Sequence, residues 1–516
     1  LYVPPGTYTV KNVKIRASSF IEGAGPGTVF KLADSATSWD HVLCVDPAVT
    51  SGVNDVTIKD FTTDGNRSAF SGKTQMHGIA LSGAHSDWLI EHVTAKNVYS
   101  DGVWVTSAAS GTLVPSNIRI VGHRAVNCGR QDIAIVNVSG CTVLDCSGTG
   151  TFDVEANSAP ETCEKLTISC LRYNKIVIGT LSAIEGGTDP DFVSVSNLVA
   201  DTDVSLWGLA FGTVCGVTCG GMFSISKCYR CAIGNVTARH VRVGSGTVVG
   251  NSRLCSLSNF NVTGDGGLDY GVLFYNAIDC SLSRADVACS HASGDGVRIK
   301  HVQNYNSAFT TSLHDITVQG FTNYGIWVTS DSYNANNTTF ITSSRVLASG
   351  SDAIRQSAPG TFAHGALVID RCRVHGRVSV LDASSVKITS LEMRGNYNIE
   401  LMELSGGCTV DLDDIVFVRE TAGTPAITFF NSTALGHVRL GKIQQAPTGS
   451  VSVSFTNAVF SGAAKVWVDG LVAEATSWAS NLADASIVAG SLYRLRGSAS
   501  NWGYTHNGTT WVARTH

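Results

Sequence analysis

The chain has 516 residues, a formal net charge of −5, and 43% hydrophobic but only 15% charged residues. This composition argues against a nucleic-acid-binding protein, which needs an excess of lysine and arginine, and against a disordered chain, which has too little apolar surface to fold. No stretch approaches about 18 consecutive apolar residues, so we expect no membrane-spanning helix. Abundant valine, isoleucine, threonine, serine, asparagine and glycine favour short strands joined by turns, and therefore an all-β protein.

The chain opens on Leu1 and the segment LYVPPGTYTV, with neither an initiator methionine nor a signal peptide. Such an opening is typical of the interior of a fold. We therefore expect that a further segment precedes Leu1 in the full-length protein.

A short pattern returns along the chain: a polar or aromatic residue, a small residue or Asp, an apolar residue, any residue, and usually a second apolar residue. Its copies are His77–Leu81, Asp101–Val105, Gln131–Ile135, Phe152–Ala156, Trp207–Phe211, Tyr270–Phe274, Asp295–Ile299, Tyr324–Val328 and Asp352–Gln356. A second type of strand, such as Val56–Ile58 or Trp88–Ile90, lies between copies. The repeat averages about 25 residues, which leaves no room for crossover helices, so stacked coils of short strands are expected.

The fifteen cysteines are an odd number, so they cannot all form disulfides within the chain. Cys231, Cys255 and Cys280 recur at one place in the repeat, which is typical of a buried packing ladder. Cys215, Cys219, Cys228 and Cys231 also spell C-x3-C-x8-C-x2-C, which leaves a zinc site as the alternative. We favour packing, and expect neither a resident metal nor a cofactor.

Towards the end of the chain the repeat weakens, and from about residue 477 it breaks into short segments typical of antiparallel strands. The sequence therefore predicts a β-solenoid over residues 1–476. Residues 477–516 are predicted to form a small C-terminal β segment.

Carboxylates stand out at two neighbouring copies. If Val103, Ile133 and Val154 point into the coil, the residues beside them point outward. Most copies place small residues there, but the sequence predicts that Asp132, Asp153 and Glu155 face outward, one coil beyond Trp104. Grouped carboxylates repel one another and raise at least one pKa, which makes them candidates for acid–base chemistry.

The spacing of these carboxylates suits glycoside hydrolysis. Asp153 and Glu155 are separated by two positions on one strand, so their Cα atoms lie about 6.5–7 Å apart, which fits an inverting pair. A contact between Asp132 and Asp153 across the stack would instead fit a retaining pair. We assign Glu155 as general acid, Asp153 as base and Asp132 as support, with turn capping or calcium binding as the alternatives.

Six further residues are candidates for binding the substrate. Trp104 and Trp327 occupy the same outward position of the repeat and would offer apolar platforms, unless a loop or a subunit buries them. Arg298 would hold an acidic sugar, although an exposed salt bridge is the plainer interpretation. The remaining candidates are Arg130 beside the carboxylates and Glu185 and Asp189 in an acidic Gly- and Pro-containing turn.

Three stretches resemble a known family. Leu1–Tyr8, followed by Ile21–Gly25, resembles the start of right-handed β-helices of the pectate-lyase superfamily. Phe152–Ser158 is similar to an Ile-Asp-Ile-Glu-Pro-Asn motif of that superfamily, including many phage tailspikes, with Ala156 in place of proline. The segment Gly490–Trp511 is similar to C-terminal segments of phage tail proteins. The resemblance implies a right-handed single-stranded parallel β-helix in a homotrimeric tailspike that binds, and usually cleaves, a bacterial surface polysaccharide.

The leading hypothesis is therefore a phage tailspike depolymerase that hydrolyses capsule or O-antigen. A polysaccharide lyase, a non-catalytic trimeric adhesin and a secreted bacterial enzyme that acts alone are the alternatives. The expected partners are the polysaccharide, two further copies of the chain, and the phage tail or baseplate through the upstream region. The expected location is the virion, with no nucleic acid bound.

Overall fold

A computed structural model describes most of the chain. The described residues are 1–45, 52–72, 74–83, 85–107, 114–156, 163–179, 192–245, 252–265, 267–301, 309–330, 337–357, 364–395, 397–404, 407–418, 425–432, 435–446, 451–456, 465–469, 492–497, 500–506 and 511–515. They divide into two compact units, Leu1–Arg239 (unit 1) and His240–His516 (unit 2).

Unit 1 consists of short strands and a single described 3-10 turn, Arg67–Ala69. Its strands are β1 Tyr2–Val3, β2 Gly6–Val10, β3 Val13–Ile15, β4 Phe20–Gly23, β5 Thr28–Leu32, β6 Leu43–Val45, β7 Val56–Lys59, β8 Thr62–Asp64, β9 Ile79–Ser82, β10 Ser86–Glu91, β11 Thr94–Lys96, β12 Val103–Thr106, β13 Ser116–Val121, β14 Arg124–Val126, β15 Ile133–Ile135, β16 Val138–Leu144, β17 Ser147–Gly148, β18 Thr151–Val154, β19 Cys163–Tyr173, β20 Lys175–Gly179, β21 Ser194–Ala200, β22 Val204–Trp207, β23 Thr213–Cys219, β24 Met222–Ser226 and β25 Ala232–Ala238.

Unit 2 is also built of short strands, which are generally longer than those of unit 1. They are β26 His240–Gly244, β27 Ser256–Val262, β28 Tyr270–Tyr275, β29 Cys280–Ala288, β30 Asp295–His301, β31 Thr310–Gln319, β32 Tyr324–Ser330, β33 Thr338–Thr342, β34 Arg345–Ser357, β35 His364–Asp370, β36 Arg373–Leu381, β37 Ala383–Arg394, β38 Ile399–Met402, β39 Cys408–Val418, β40 Ala426–Phe430, β41 Leu435–Leu440, β42 Ile443–Ala446, β43 Ser452–Thr456, β44 Lys465–Asp469, β45 Leu492–Gly497, β46 Ser500–His506 and β47 Trp511–Thr515.

Strands pair in parallel from one coil to the next rather than with their neighbours in the chain. One column runs β9, β12, β15, β18 and β20, and a second runs β7, β10, β13, β16 and β19. This pairing is that of a parallel β-helix, which confirms the predicted fold class. Among the described residues, no helix is long and apolar enough to cross a membrane.

The core of unit 1 is a column of inward apolar side chains. Ile79, Val103, Ile133, Phe152 and Ile176 stack in register and are all fully buried. Burying such a side chain contributes about 1.5–3 kcal/mol. Because the inward positions alternate with outward ones, the same column presents a parallel set of side chains on the outer face.

Left-handed residues bend each coil at a fixed place. Asp87, Asn117 and Gly140 stack on one another with φ of 59°, 49° and 81°. The Nδ2 of Asn117 donates to the Oδ1 of Asp87 at 2.7 Å. Asn, Asp and Gly tolerate this conformation better than other residues, which explains why turns rich in these residues punctuate the sequence.

The end of unit 2 changes its pairing. Strand β44 pairs in parallel with β45, whereas β45, β46 and β47 pair antiparallel. Antiparallel pairing agrees with the expectation for the tail. Residues 477–491 lie outside the described part of the chain, so the domain boundary placed at residue 477 stays a prediction.

Candidate active site

The outer face of unit 1 carries one column of side chains between the inward positions. Trp104 stacks on Ala134, and Ala134 stacks on Asp153. Asp153 is thus two coils from Trp104 and one from Ala134. The column places an indole ring and a carboxylate on one face, with a methyl group between them.

This register corrects the expectation that Asp132 and Asp153 are neighbours across the stack. Phe152, not Val154, lies next to Ile133, so Asp153 is aligned with Ala134 and Asp132 with Thr151. A shift of two residues keeps every side chain on its own face. Alternation in the sequence therefore fits both registers equally well, and only the pairing seen in the structure distinguishes them.

Asp132 itself is not on the outer face. It is fully buried, and its Oδ2 accepts a hydrogen bond of 2.6 Å from the backbone N–H of Gly150 in the next coil. Burial raises the pKa of this carboxyl, and the Gly150 bond partly opposes the rise. The geometry places Asp132 in the corner between two coils rather than beside Asp153 and Glu155.

The same corner bond recurs along the chain. Asp101 accepts from the N–H of Gln131 at 3.1 Å, and Asp203 accepts from the N–H of Met222 at 2.8 Å. In unit 2, Asp295 accepts from Tyr324 at 3.3 Å. Aspartate at this place in the repeat thus ties one coil to the next, which is the turn-capping role that the sequence left as an alternative.

Asp153 is a buried carboxyl with one satisfied oxygen. Only 7% of the residue is exposed, and its Oδ2 accepts a hydrogen bond of 2.5 Å from the Nε2 of Gln131. Its Oδ1 is buried and has no hydrogen-bond partner among the described residues. Burial and the nearby charge of Glu155 raise the pKa of Asp153 to about 6, although Gln131 and Lys175 act in the opposite direction.

Glu155 follows directly after β18 and is half-buried. Its backbone N–H donates to the carbonyl of Ile135 at 2.9 Å, which continues the parallel ladder past the end of the strand. Glu155 therefore lies two positions beyond Asp153 on extended backbone, with Cα atoms about 6.5–7 Å apart. The two carboxyls share a face but differ in burial.

A polar network is centred on the buried carboxylate of Asp101. The Nε of Arg130 donates to the Oδ1 of Asp101 at 2.8 Å, and its Nη2 donates to the Oδ2. The Nδ1 of His77 lies 3.1 Å from the same Oδ2. Burial alone would raise the pKa of Asp101, but the bonds to His77 and Arg130 outweigh it and lower that pKa.

Arg130 connects this network to the carboxyl pair. Its hydrogen bond to Asp101, together with the charges of Glu155 and Asp153, raises the pKa of the guanidinium despite partial burial. The side chain remains 43% exposed. Arg130 is therefore anchored at one end and accessible to a ligand, as a substrate-binding residue requires.

Trp104 is held by ring stacking. Its indole lies 4.6 Å from the imidazole of His77 at an interplanar angle of 15°, and His77 stacks in turn on His41 at 5.1 Å. Burial lowers the pKa of His77, so the ring is neutral at neutral pH. The half-buried indole is thus a rigid platform.

Four residues of this neighbourhood escaped the sequence analysis: His77, Asp101, Gln131 and Lys175. His77, Asp101 and Gln131 are each the first residue of a repeat copy, which was the available signal. Lys175 is exposed and stacks on Thr151, two positions from Asp153 in the neighbouring strand. Its charge and that of Arg130 both act within reach of Asp153.

Four further predicted site residues remain. Glu185 and Asp189 fall outside the described residues. Arg298 and Trp327 belong to unit 2, where they stack on each other in neighbouring coils. They are therefore not part of the Asp153 cluster as the structure describes it.

The cysteine ladder is a packing feature. Cys231, Cys255 and Cys280 are buried, and the Sγ of Cys231 donates to the carbonyl of Leu209 at 3.5 Å. Cys215 is exposed on β23, apart from the buried Cys228. Within the described part of the chain, no group of three His, Cys, Asp or Glu side chains has the geometry of a metal site.

Comparisons with known proteins found similarity in structure but not in sequence. No protein-family model matches the chain, and no curated protein matches it in sequence. The structure is similar to the A-module of a mannuronan C-5 epimerase from Azotobacter vinelandii, with a TM-score of 0.33 and 12% identity over 76% of this chain and 90% of that chain.

Two phage proteins are also similar in structure. The N-terminal fragment of gene product 12 of bacteriophage phi29 has a TM-score of 0.40 and 13% identity, over 100% of this chain and 91% of that chain. The tailspike protein of E. coli bacteriophage HK620, in complex with a pentasaccharide, has a TM-score of 0.26 and 11% identity, over 98% and 76%. At these identities the function of this chain rests on its own residues.

Proposed function

We propose that unit 1 carries the active site of a glycoside hydrolase that cleaves a polysaccharide, with Asp153 and Glu155 as the catalytic pair. One observation carries the proposal: the two carboxyls at the end of β18 share a face but lie in different environments. Asp153 is buried, its pKa is raised to about 6, and one oxygen has no partner among the described residues. Glu155 is half-buried. A carboxyl in a buried environment beside a second one nearer the solvent can divide the roles of acid and base.

The burial of Asp153 supports the opposite order of roles from that expected from sequence. With a pKa of about 6, Asp153 holds its proton in mildly acidic solution, so it is the general acid that protonates the leaving oxygen, and cleavage falls as the pH rises above about 6. Glu155, nearer the solvent, is the base that activates water. The buried Oδ1 of Asp153 provides a place for the proton, because protonation turns an unpartnered acceptor into a donor.

Substrate binding follows from the neighbouring side chains. Trp104 offers an apolar ring surface two coils from the acid, and Arg130 presents a guanidinium that is anchored on Asp101 and 43% exposed. The Cα separation of about 6.5–7 Å along the strand suits a pair of carboxyls with a water molecule between them, as in an inverting enzyme.

The biological setting is proposed from the similarity of Phe152–Ser158 to a motif found in many phage tailspikes, and of Gly490–Trp511 to C-terminal segments of phage tail proteins. In that setting the chain is a homotrimer on the phage tail, attached through an upstream region. It binds and cleaves a capsule or O-antigen of the host. The predicted C-terminal segment 477–516 would clasp the trimer.

A polysaccharide lyase is the second candidate, and the cations favour it. Elimination from a uronic acid needs a base and a positive group that stabilises the charge developing at the sugar carboxylate. Arg130 and Lys175 lie close enough to influence Asp153 or to be influenced by it. In a lyase Asp153 would act without a water molecule, and each cleavage would create an unsaturated uronate.

The test is to incubate purified capsule and O-antigen polysaccharides with the protein and follow their size by chromatography with light scattering. The comparison uses Asp153→Asn and Glu155→Gln, with Asp286→Asn as the control because Asp286 is exposed on β29 in unit 2. Shortening by the wild type and the control, but not by the site variants, supports the proposal. Products that absorb ultraviolet light through a conjugated double bond would show that the chain is cleaved by elimination rather than by hydrolysis. Equal cleavage by all four proteins, or none by the wild type, contradicts it.

A further inference from the structure

Unit 2 carries a column of side chains unlike that of unit 1. At the outward position of the repeat, successive coils place Arg242, Leu273, Arg298, Trp327 and Arg355 in register. Unit 1 places mostly small side chains at its corresponding position, such as Ala80 and Ala134. We call Arg298, Trp327 and Arg355 the arginine–tryptophan column.

Aromatic rings hold the guanidinium groups in place. Arg298 lies 5.0 Å from the ring centre of Trp327, and Arg355 lies 5.0 Å from that of Tyr324. The rings of Tyr324 and Trp327 lie 5.2 Å apart. Cation–π contacts of this kind contribute about 0.5–1 kcal/mol at exposed sites and more when water is excluded, so the column is ordered before any ligand binds.

Carboxylates hold one edge of Arg298, whose side chain is 15% exposed. Its Nε donates to the Oδ2 of Asp295 at 2.6 Å, and its Nη2 donates to the Oδ2 of Asp269 at 2.9 Å. Its other terminal nitrogen makes no hydrogen bond to the described residues. Since a guanidinium has five N–H donors, Arg298 retains donors for a ligand.

Trp327 and Arg355 complete the column. The indole N–H of Trp327 donates to the Oγ of Ser357 at 2.8 Å, which fixes the ring, and the residue is only half-buried. Arg355 makes one long contact of 3.4 Å to Asp352 and leaves 28% of its side chain exposed. Asp352 has a second partner in Arg377 at 2.5 Å, so Asp352 does not depend on Arg355 for its charge partner.

We propose that the arginine–tryptophan column is a second glycan-binding site, separate from the carboxyl pair of unit 1, that takes a sugar carrying a carboxylate. Guanidinium groups bind carboxylates through paired N–H donors, and the fixed indole between them offers an apolar face to the sugar ring. The carboxylates that accompany each arginine argue against a polyphosphate such as nucleic acid, which requires a net excess of cations.

The proposal is independent of cleavage and is tested by binding alone. Isothermal titration measures the affinity of the full chain for oligogalacturonate, oligoalginate and oligosialic acid. A dextran oligomer serves as the neutral probe and oligothymidylate as the nucleic-acid probe. Trp327→Ala and Arg355→Ala are the site variants. In Arg355→Ala, Asp352 keeps its ion pair with Arg377. Arg439→Ala is the control, since Arg439 pairs with Asp411 and Asp413 on a different strand column.

We expect at least one acidic probe to bind wild type and the control equally. Each site variant should lose about tenfold in affinity, an amount typical of one good contact, and added salt should weaken binding. No binding of any acidic probe, equal binding of dextran, tighter binding of oligothymidylate, or affinity unchanged in both site variants would overturn the proposal.

Discussion

The amide nitrogen Nε2 of Gln131 lies 2.5 Å from the carboxylate oxygen Oδ2 of Asp153. The bond joins adjacent coils and acts on the residue to which we assign the proton transfer. It favours the charged form of Asp153, so it lowers a pKa that burial has raised.

Removing this bond should move the pH dependence of cleavage. In Gln131→Ala the pKa of Asp153 should rise above about 6, because the charged form loses its only hydrogen bond among the described residues. The alkaline limb of kcat/KM reports the general acid, so this limb should move to higher pH. Kinetics of polysaccharide cleavage across pH measure the shift, with Gln319→Ala on the exposed end of β31 as the control. An alkaline limb that stays in place would remove Asp153 from the acid role.

Neutralising Asp153 should stabilise the protein at neutral pH while abolishing cleavage. A carboxyl whose pKa is raised in the folded state favours folding when protonated, and that contribution is lost as pH rises from about 4 to about 6. Asp153→Asn removes this pH-dependent penalty, at most about 3 kcal/mol, and retains an oxygen to accept from Gln131. Thermal unfolding should show a higher Tm for the variant at about pH 7.5 and nearly equal values at about pH 4. A lower Tm at neutral pH would contradict the raised pKa.

Asp132 should prove structural. Asp132→Ala removes the acceptor of the Gly150 N–H in a fully buried corner, and leaving such a donor unsatisfied costs about 1–3 kcal/mol. Asp132→Asn keeps an oxygen for this bond and should lose much less. Tm values of the two variants, measured beside kcat, test the distinction. If Asp132→Asn folds as well as wild type but cleaves more than about tenfold more slowly, a ΔΔG‡ of about 1.4 kcal/mol, the residue belongs to the catalytic machinery.

Trp104 should affect substrate affinity more than turnover. Trp104→Ala removes a half-buried ring and its stack on His77, so KM should rise several-fold while kcat changes little. Trp104→Phe keeps an aromatic surface and should recover most of the affinity. The lost stack is worth about 0.5–1.5 kcal/mol of stability, which unfolding measurements of both variants would show. A large fall in kcat with KM unchanged would instead place the indole at the reacting bond.

The sequence determined the fold because its repeat is local. Alternating apolar residues such as Ile133 and Ile135, Asn and Gly turns, and a period too short for helices together leave a parallel β-helix as the solution. The sequence also identified Asp153, Glu155, Trp104 and Arg130 as members of one neighbourhood, because outward residues of nearby coils share a face.

The pairing between coils was decided only by the tertiary structure. A register shift of two residues preserves the inward and outward faces, so the sequence could not tell whether Asp132 or Ala134 lies beside Asp153. In the structure Phe152 pairs with Ile133, which aligns Asp153 with Ala134. The same pairing makes the buried Asp132 an acceptor for Gly150 and brings Gln131 to Asp153. The environment on which the proposed acid role of Asp153 depends is therefore set by residues distant in the chain.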